Sequence, residues 1–204
     1  PSLEGLVTVS DLCRAAPLRL RPPLAPEATA LLQFTSGSTS DPKGVVLSHL
    51  NLLANMRVIG EFVAPEPDDV FVSWLPLYHD MGLIGAVLTT LYHAVPLVLM
   101  SPLAFLLRPE RWLQAIDRHR GTLSAAPNFA YELCVKKVAP EVLAGLDLSS
   151  WRLSLNGAEP INPAALIRFA EHLAPSGFRP EVLTPTYGLA ECSLALAMSP
   201  VARL

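Results

Sequence analysis

Charge is sparse in this chain. Only 16% of the 204 residues are Asp, Glu, Lys or Arg, and 15 basic against 18 acidic side chains leave a net charge of −3. No basic cluster disturbs that balance, which argues against nucleic acid as a partner. Cysteine is sparse too. Cys13, Cys134 and Cys192 are 3 widely spaced thiols with no CxxC and no nearby His pair, so neither a zinc site nor a disulfide framework is indicated. Buried or half-buried thiols in a reducing cytoplasm are the default, and a catalytic thiol at Cys192 is disfavoured. A Walker phosphate loop is also missing: Pro42 precedes Lys43 and Gly44 follows it, where that motif needs Gly-Lys-Ser/Thr. No charged-then-apolar leader follows Pro1, so secretion is not expected.

What is abundant is apolar surface. Hydrophobic residues make up 51% of the chain, a balance resembling an interior cut from something larger. The length suffices for one large domain or two small ones. The longest uncharged run, Met81 to Leu107, is long enough for a membrane span, yet Pro96 interrupts it and its second half is strand-like. A buried helix followed by a buried strand is the better expectation.

Residues 1–30 carry Pro17, Pro22, Pro23 and Pro26 among scattered arginines and read as a linker or surface segment. Beyond them, Leu31 to His49 is an apolar run, a hydroxyl-rich loop, a lysine and a second apolar run, which predicts a β-hairpin around a phosphate-sized loop. An ordinary Ser/Gly/Pro loop is the competing account. Ser48 is placed to cap a helix whose apolar positions Leu50, Leu53, Ala54, Val58 and Phe62 recur at helical spacing.

From Asp69 onward, short apolar runs alternate with longer amphipathic ones. Strands are expected at Val70–Leu75, Pro96–Met100, Thr122–Ala125, Leu153–Asn156 and Val182–Thr186, and helices at Met81–His93, Pro109–His119, Phe129–Val138 and Pro163–Leu173. Pro109 and Pro163 suit a first helical turn, and Asn162 suits a cap. The fold class is therefore α/β: a mostly parallel β-sheet with helices on both faces, since parallel pairing needs helix-length crossovers. Ligands in such sheets gather at the carboxyl ends of the strands. Trp74–Asp80, Ser124–Asn128, Asn156–Pro160 and Thr186–Glu191 all follow strands and share that rim.

Taken in order, Thr35-Ser36-Gly37-Ser38-Thr39-x-x-Pro42-Lys43-Gly44, Leu75-Pro76-Leu77-Tyr78-His79-Asp80-Met81-Gly82, Asn156-Gly157-Ala158-Glu159-Pro160 and Tyr187-Gly188-Leu189-Ala190-Glu191 resemble the motifs of adenylate-forming enzymes. Within that superfamily the chain is most similar to the fatty acyl-AMP ligases. The run from Tyr78 to Gly85, the Ser101–Phe105 turn with Arg108-Pro109 and Trp112 beyond it, Ala126–Tyr131, and YGLAE in place of YGxTE carry that likeness. Ser40 stands where many members have glycine, in keeping with the subfamily, and it restricts how far the loop folds over phosphates.

The resemblance implies the following roles. Thr35, Ser36, Gly37, Ser38, Thr39 and Lys43 would hold the β- and γ-phosphates of ATP. Asn156, Gly157, Ala158 and Glu159 would lie along the adenine, Thr186 and Tyr187 would pack beside it, and Gly188 would leave room for the nucleotide. Glu191 would bind Mg²⁺ and His79 would stand near the attacking carboxylate, with Lys43, His79 and Glu191 forming the catalytic set. Read without the resemblance, Asn156-Gly157 is a hairpin turn, Glu191 a helix-start carboxylate and His79 a hydrogen-bonded core residue. The apolar stretches Met81–Tyr92 and Phe129–Leu133 are candidate walls of an acyl channel or ordinary core.

The superfamily's later parts, a ribose-binding aspartate, a hinge arginine and a small C-terminal domain with a second lysine, have no counterpart before Leu204. Residues 31–204 are thus expected to be a partial AMP-binding domain from about the central third of such an enzyme, inactive or nearly so alone. The parent would join a fatty acid to AMP for an acyl-carrier protein or polyketide synthase, with no nucleic acid and no membrane span involved. A fatty acyl-CoA synthetase fragment and a non-catalytic adenylate- or acyl-binding module are the alternatives.

Overall fold

The computed structural model describes residues 24–35 and 43–200. The expectations placed on Cys13, on Ser36, Gly37, Ser38 and Thr39, and on most of the leading segment fall outside them. The hairpin forms, with β1 (Thr29–Thr35) antiparallel to β2 (Lys43–Ser48) and Thr35 paired with Lys43. That pairing sets the two ends of the hydroxyl-rich loop side by side.

Helix α1 (His49–Val63) follows directly. Ser48 Oγ accepts a hydrogen bond from the Asn51 N–H, and Asn51 Oδ1 accepts one from the Ser48 N–H, a complete capping box. Its buried face differs from the expected one. Leu52, Met56, Ile59 and Val63 point inward, whereas Leu50, Leu53 and Val58 are 51, 41 and 53% exposed. Two apolar stripes run along this helix, and hydropathy spacing alone does not say which one meets the sheet.

The main sheet has six strands in the order β4-β3-β5-β6-β7-β8, comprising β3 (Phe71–Ser73), β4 (Leu97–Leu99), β5 (Leu123–Ala126), β6 (Leu153–Asn156), β7 (Leu183–Gly188) and β8 (Ala195–Met198). The first five pair in parallel and match the expected strands to within a residue or two, while β8 pairs antiparallel with β7. Strand β8 escaped the sequence reading because Ala195–Met198 lies in one short apolar stretch with no helix-length crossover before it.

The expected helix over Met81–His93 is a π-helix at Met81–Leu88 that continues as α2 (Thr89–Tyr92). Thr89 Oγ1 donates to the Ile84 carbonyl at 2.8 Å and Thr90 Oγ1 to the Ala86 carbonyl at 2.5 Å, adding hydroxyl bonds to oxygens that also accept the Thr89 backbone N–H. Among the described residues no helix is long and apolar enough to cross a membrane. The Ser101–Phe105 segment, read as a turn, is instead part of α3 (Pro102–Leu107), which uses Pro102 in its first turn. Helix α4 (Glu110–His119) starts just after Pro109, and α5 (Asn128–Lys137) and the short α6 (Pro140–Leu143) follow. Helix α7 (Pro163–Leu173) begins where Asn162 accepts from the Ala164 N–H.

Strand alternation assigns the two sheet faces. Ser124 accepts from Trp112 Nε1 at 3.0 Å and Ser154 bonds the Tyr131 hydroxyl at 2.8 Å, so one face meets α4 and α5. There Trp112, Tyr131, Trp151, Phe169 and Phe178 pack edge to face. Phe71, Leu123, Ala125, Leu153 and Leu155 look the other way, toward α1 and the π-helix.

One polar clasp closes the amino-terminal edge of the sheet. Asp69 is 2% exposed and takes Arg152 Nε at 2.8 Å, Thr122 Oγ1 at 2.6 Å and the Glu66 N–H at 2.8 Å. Arg152 also reaches the Val63 and Ala64 carbonyls at the end of α1. Burial alone would raise the Asp69 carboxyl pKa. Hydrogen bonds from Arg152, Glu66 and Thr122, with the Arg152 charge, outweigh it and bring the net shift below the ordinary value.

Candidate active site

A cleft of about 820 Å³ lies between the hairpin, α1, the π-helix and the second face of the sheet. Thr35, Lys43, His79, Ala158, Tyr187 and Glu191 meet at its carboxyl-terminal rim, together with Thr186 and Gly188. These residues span more than 150 positions of sequence, and three separate strand ends plus the hairpin deliver them.

Each delivery has a local cause. Tyr187 and Gly188 end β7, and the chain then turns so tightly that the Leu189 N–H bonds the Leu194 carbonyl at 3.0 Å. A Cβ at Gly188 would strike that same carbonyl oxygen, so glycine is required there. The turn presents Glu191, whose side chain is exposed. Asn55 on α1 fastens the turn: its Nδ2 donates to the Ala195 carbonyl at 2.8 Å and its Oδ1 accepts the Ala195 N–H at 3.0 Å. Nothing in the sequence marks Asn55 for this, since its partner lies 140 residues away.

His79 follows β3 in the loop before the π-helix. Its Nδ1 sits 2.8 Å from Asp80 Oδ1, and the hydrogen bond it donates to that carboxylate raises the imidazole pKa, burial opposes it, and the Asp80 charge adds to the rise. Asp80 adjoins His79 in the sequence, and that adjacency is the signal that marks it as the imidazole's partner. The charged imidazole's contribution to stability is complete below the ordinary histidine value of about 6.5 and fades as pH rises through the elevated one.

Three expected adenine neighbours do not line the cleft. Glu159 Oε1 accepts the Phe129 N–H at 2.6 Å and so serves the first turn of α5. Asn156 is fully buried, donates from Nδ2 to the Ala126 carbonyl at 3.3 Å, and leaves Oδ1 without a protein partner. Gly157 is buried beside Thr186, whose hydroxyl bonds the Asn156 carbonyl at 3.1 Å. Ala158 alone of the four reaches the cleft, in a left-handed conformation with φ of 71°. Phe129, named as a channel wall, packs edge-on against Trp74 at 6.0 Å instead of lining the cleft, and Met81 and Gly85 of the π-helix do line it.

The rim suits a nucleotide. Tyr187 is 62% exposed and offers a ring face, Lys43 supplies a positive charge, and the exposed Glu191 supplies a lone carboxylate. No cluster of three or more His, Cys, Asp or Glu side chains able to hold a metal occurs among the described residues. A lone carboxylate fits Mg²⁺, which takes one or two protein oxygens and fills its shell with phosphate oxygens and water.

Comparison with known proteins decides the family. The model of the AMP-binding enzyme family matches residues 4–203. The chain belongs to that family. Among relatives of this AMP-binding chain, the medium-chain-fatty-acid–acyl-carrier-protein ligase TtuA of Teredinibacter turnerae is 43% identical over 178 residues, covering 87% of this chain and 28% of the relative. The long-chain-fatty-acid–AMP ligase FadD26 of Mycobacterium marinum is 44% identical over 196 residues, 94% of this chain and 33% of the relative. The crystal structure of a fatty acyl-adenylate ligase from L. pneumophila with acyl adenylate and pyrophosphate superposes with a TM-score of 0.86 at 42% identity, covering 89% of this chain and 32% of that one. The chain thus spans about a third of the length of the relatives it matches, and the mostly parallel α/β sheet is the one these AMP-binding enzymes share.

Proposed function

We propose that the protein carrying this AMP-binding segment condenses a fatty acid with ATP to give acyl-AMP and pyrophosphate, and passes the acyl group to an acyl-carrier protein. The observation that carries this is the single cleft whose rim gathers Lys43, His79, Tyr187 and Glu191 while its floor is apolar sheet. A nucleotide and an aliphatic tail need those two surfaces end to end. The names of the relatives, an acyl-carrier-protein ligase and an AMP ligase, support both halves of the reaction. A polyketide synthase as the bearer of the carrier, and a cytoplasmic setting where ATP is plentiful, complete the proposal.

In this reaction a carboxylate oxygen attacks the α-phosphorus of ATP, the new P–O bond forms, and the bond to the bridging oxygen breaks as pyrophosphate leaves. No protein nucleophile is needed. Lys43 and the loop from Thr35 to Thr39 hold the departing phosphates, Tyr187 and Ala158 orient the base, and His79, kept cationic to higher pH by Asp80, faces two anions that must approach. Glu191 would hold Mg²⁺, which when bound offsets charge on the phosphoryl oxygens. Residues 31–204 then form part of the AMP-binding domain, which the family match extends forward to residue 4.

Exchange of labelled pyrophosphate into ATP tests this in the full-length protein. Exchange that depends on added fatty acid is the expected result, and no exchange with any acid from short to long would overturn the enzyme reading.

A further inference from the structure

Away from the rim, the cleft is lined as far as Val63 and Pro65 at the end of α1. On leaving the rim it runs beneath α1 along Leu123 and Leu155 and reaches Phe71, Val95, Gly60 and His93 at the amino-terminal side of the strands. His93 is fixed there from several directions. Its Nε2 lies 3.0 Å from the Met56 carbonyl on α1, and because a carbonyl only accepts, that nitrogen carries the proton. The Tyr92 ring stands edge-on to it with centroids 4.8 Å apart. The His93 N–H bonds the Thr89 carbonyl, and Ala94 then turns the chain through a left-handed conformation with φ of 56°.

Gly60 makes this seat possible. A Cβ at that position would fall on the imidazole, so only glycine lets the ring lie against the helix backbone. A ring pressed to a helix, donating to its carbonyl and backed by a second aromatic ring, is a rigid wall and not a mobile side chain. We infer that His93, seated on Gly60, is the stop of the acyl channel and determines the chain length the enzyme prefers. The inference rests on the acyl-adenylate reading above. Leu123, Ser124 and Ala125 of β5 line about 10 Å of this floor. With about 3.6 Å covered by every three bonds of an extended chain, that floor takes about eight carbons of an acyl tail, a medium-length chain.

The test is a chain-length profile, kcat/KM for pyrophosphate exchange with saturated acids from hexanoic to octadecanoic, in the full-length protein. His93→Ala opens the end and moves the optimum to longer acids. Each methylene that becomes buried is worth about fourfold, so two added carbons shift the ratio of long to short acids by about 15-fold. His93→Trp moves the optimum to shorter acids. His93→Gln is slimmer yet keeps an N–H for the Met56 carbonyl, and gives the lengthening shift if His93→Ala does not accumulate as folded protein. An equal loss of activity on every acid, with the optimum unmoved in all the variants, would show a structural role only and overturn the stop. Absence of exchange in the unmodified protein would instead overturn the acyl-adenylate reading on which the stop depends.

Discussion

Arg152→Ala will destabilise the protein by about 3–5 kcal/mol at neutral pH, the cost of leaving a buried carboxylate without its cation. Asp69 is 2% exposed, and the guanidinium both neutralises it and ties the end of α1 to the sheet through the Val63 and Ala64 carbonyls. The pH dependence identifies the cause. In the unmodified protein the Asp69 pKa is lowered, so its contribution is present above the unfolded value of about 4 and is lost as pH falls through the native value. Once Arg152 is gone, burial dominates and the native pKa rises, so the variant loses stability as pH climbs. The difference between the two proteins should therefore shrink below about pH 4. Urea unfolding followed by tryptophan fluorescence across pH 3 to 7 measures it, and a gap that does not change with pH would mean that packing, not charge, is what Arg152 supplies.

Glu191→Ala will do the opposite: it will lower pyrophosphate exchange by about a hundredfold or more while leaving stability within about 0.5 kcal/mol. Its side chain is exposed on a turn whose backbone is held by Leu194 and Asn55, so its removal costs the fold little. In the proposed reaction Glu191 would hold Mg²⁺, and its removal would take away charge stabilisation where the reaction builds charge. Exchange kinetics over a Mg²⁺ titration, paired with the same urea unfolding, separates the two effects. Activity that matches the unmodified protein would strip Glu191 of this role.

These two residues mark the boundary of what the sequence discloses. Glu191 stands in a motif, and motifs are local strings at strand ends, so the rim could be assembled from the chain before any coordinates. Helix α7 and strand β6 match their expected limits because Asn162, Pro163 and the flanking turn residues punctuate them. The clasp of Asp69 and Arg152 joins positions 83 residues apart, and its members look like any solvated charges in a polar loop. The same holds for Asn55 and for His93 on Gly60. Only the folded register shows that a short amide completes a turn or that a ring meets a backbone. Helix α1 shows another limit, for its two apolar stripes are equivalent in hydropathy and the sheet decides between them. The π-helix was hidden because its sequence carries the spacing of an ordinary buried helix, and the threonines that support it act through hydroxyls whose partners are backbone oxygens.

In the proposed reaction this rim joins a carboxylate oxygen to the α-phosphorus of ATP. The most direct test follows that oxygen. A fatty acid labelled with ¹⁸O in its carboxyl group is turned over by the full-length protein with ATP and a carrier-protein thiol, and the phosphorus products are examined by mass spectrometry. Attack on the α-phosphorus leaves one labelled oxygen in AMP once the thiol displaces the acyl group, and that is the expected result. Label in inorganic phosphate, formed alongside ADP, would place the attack at the γ-phosphorus and contradict the account.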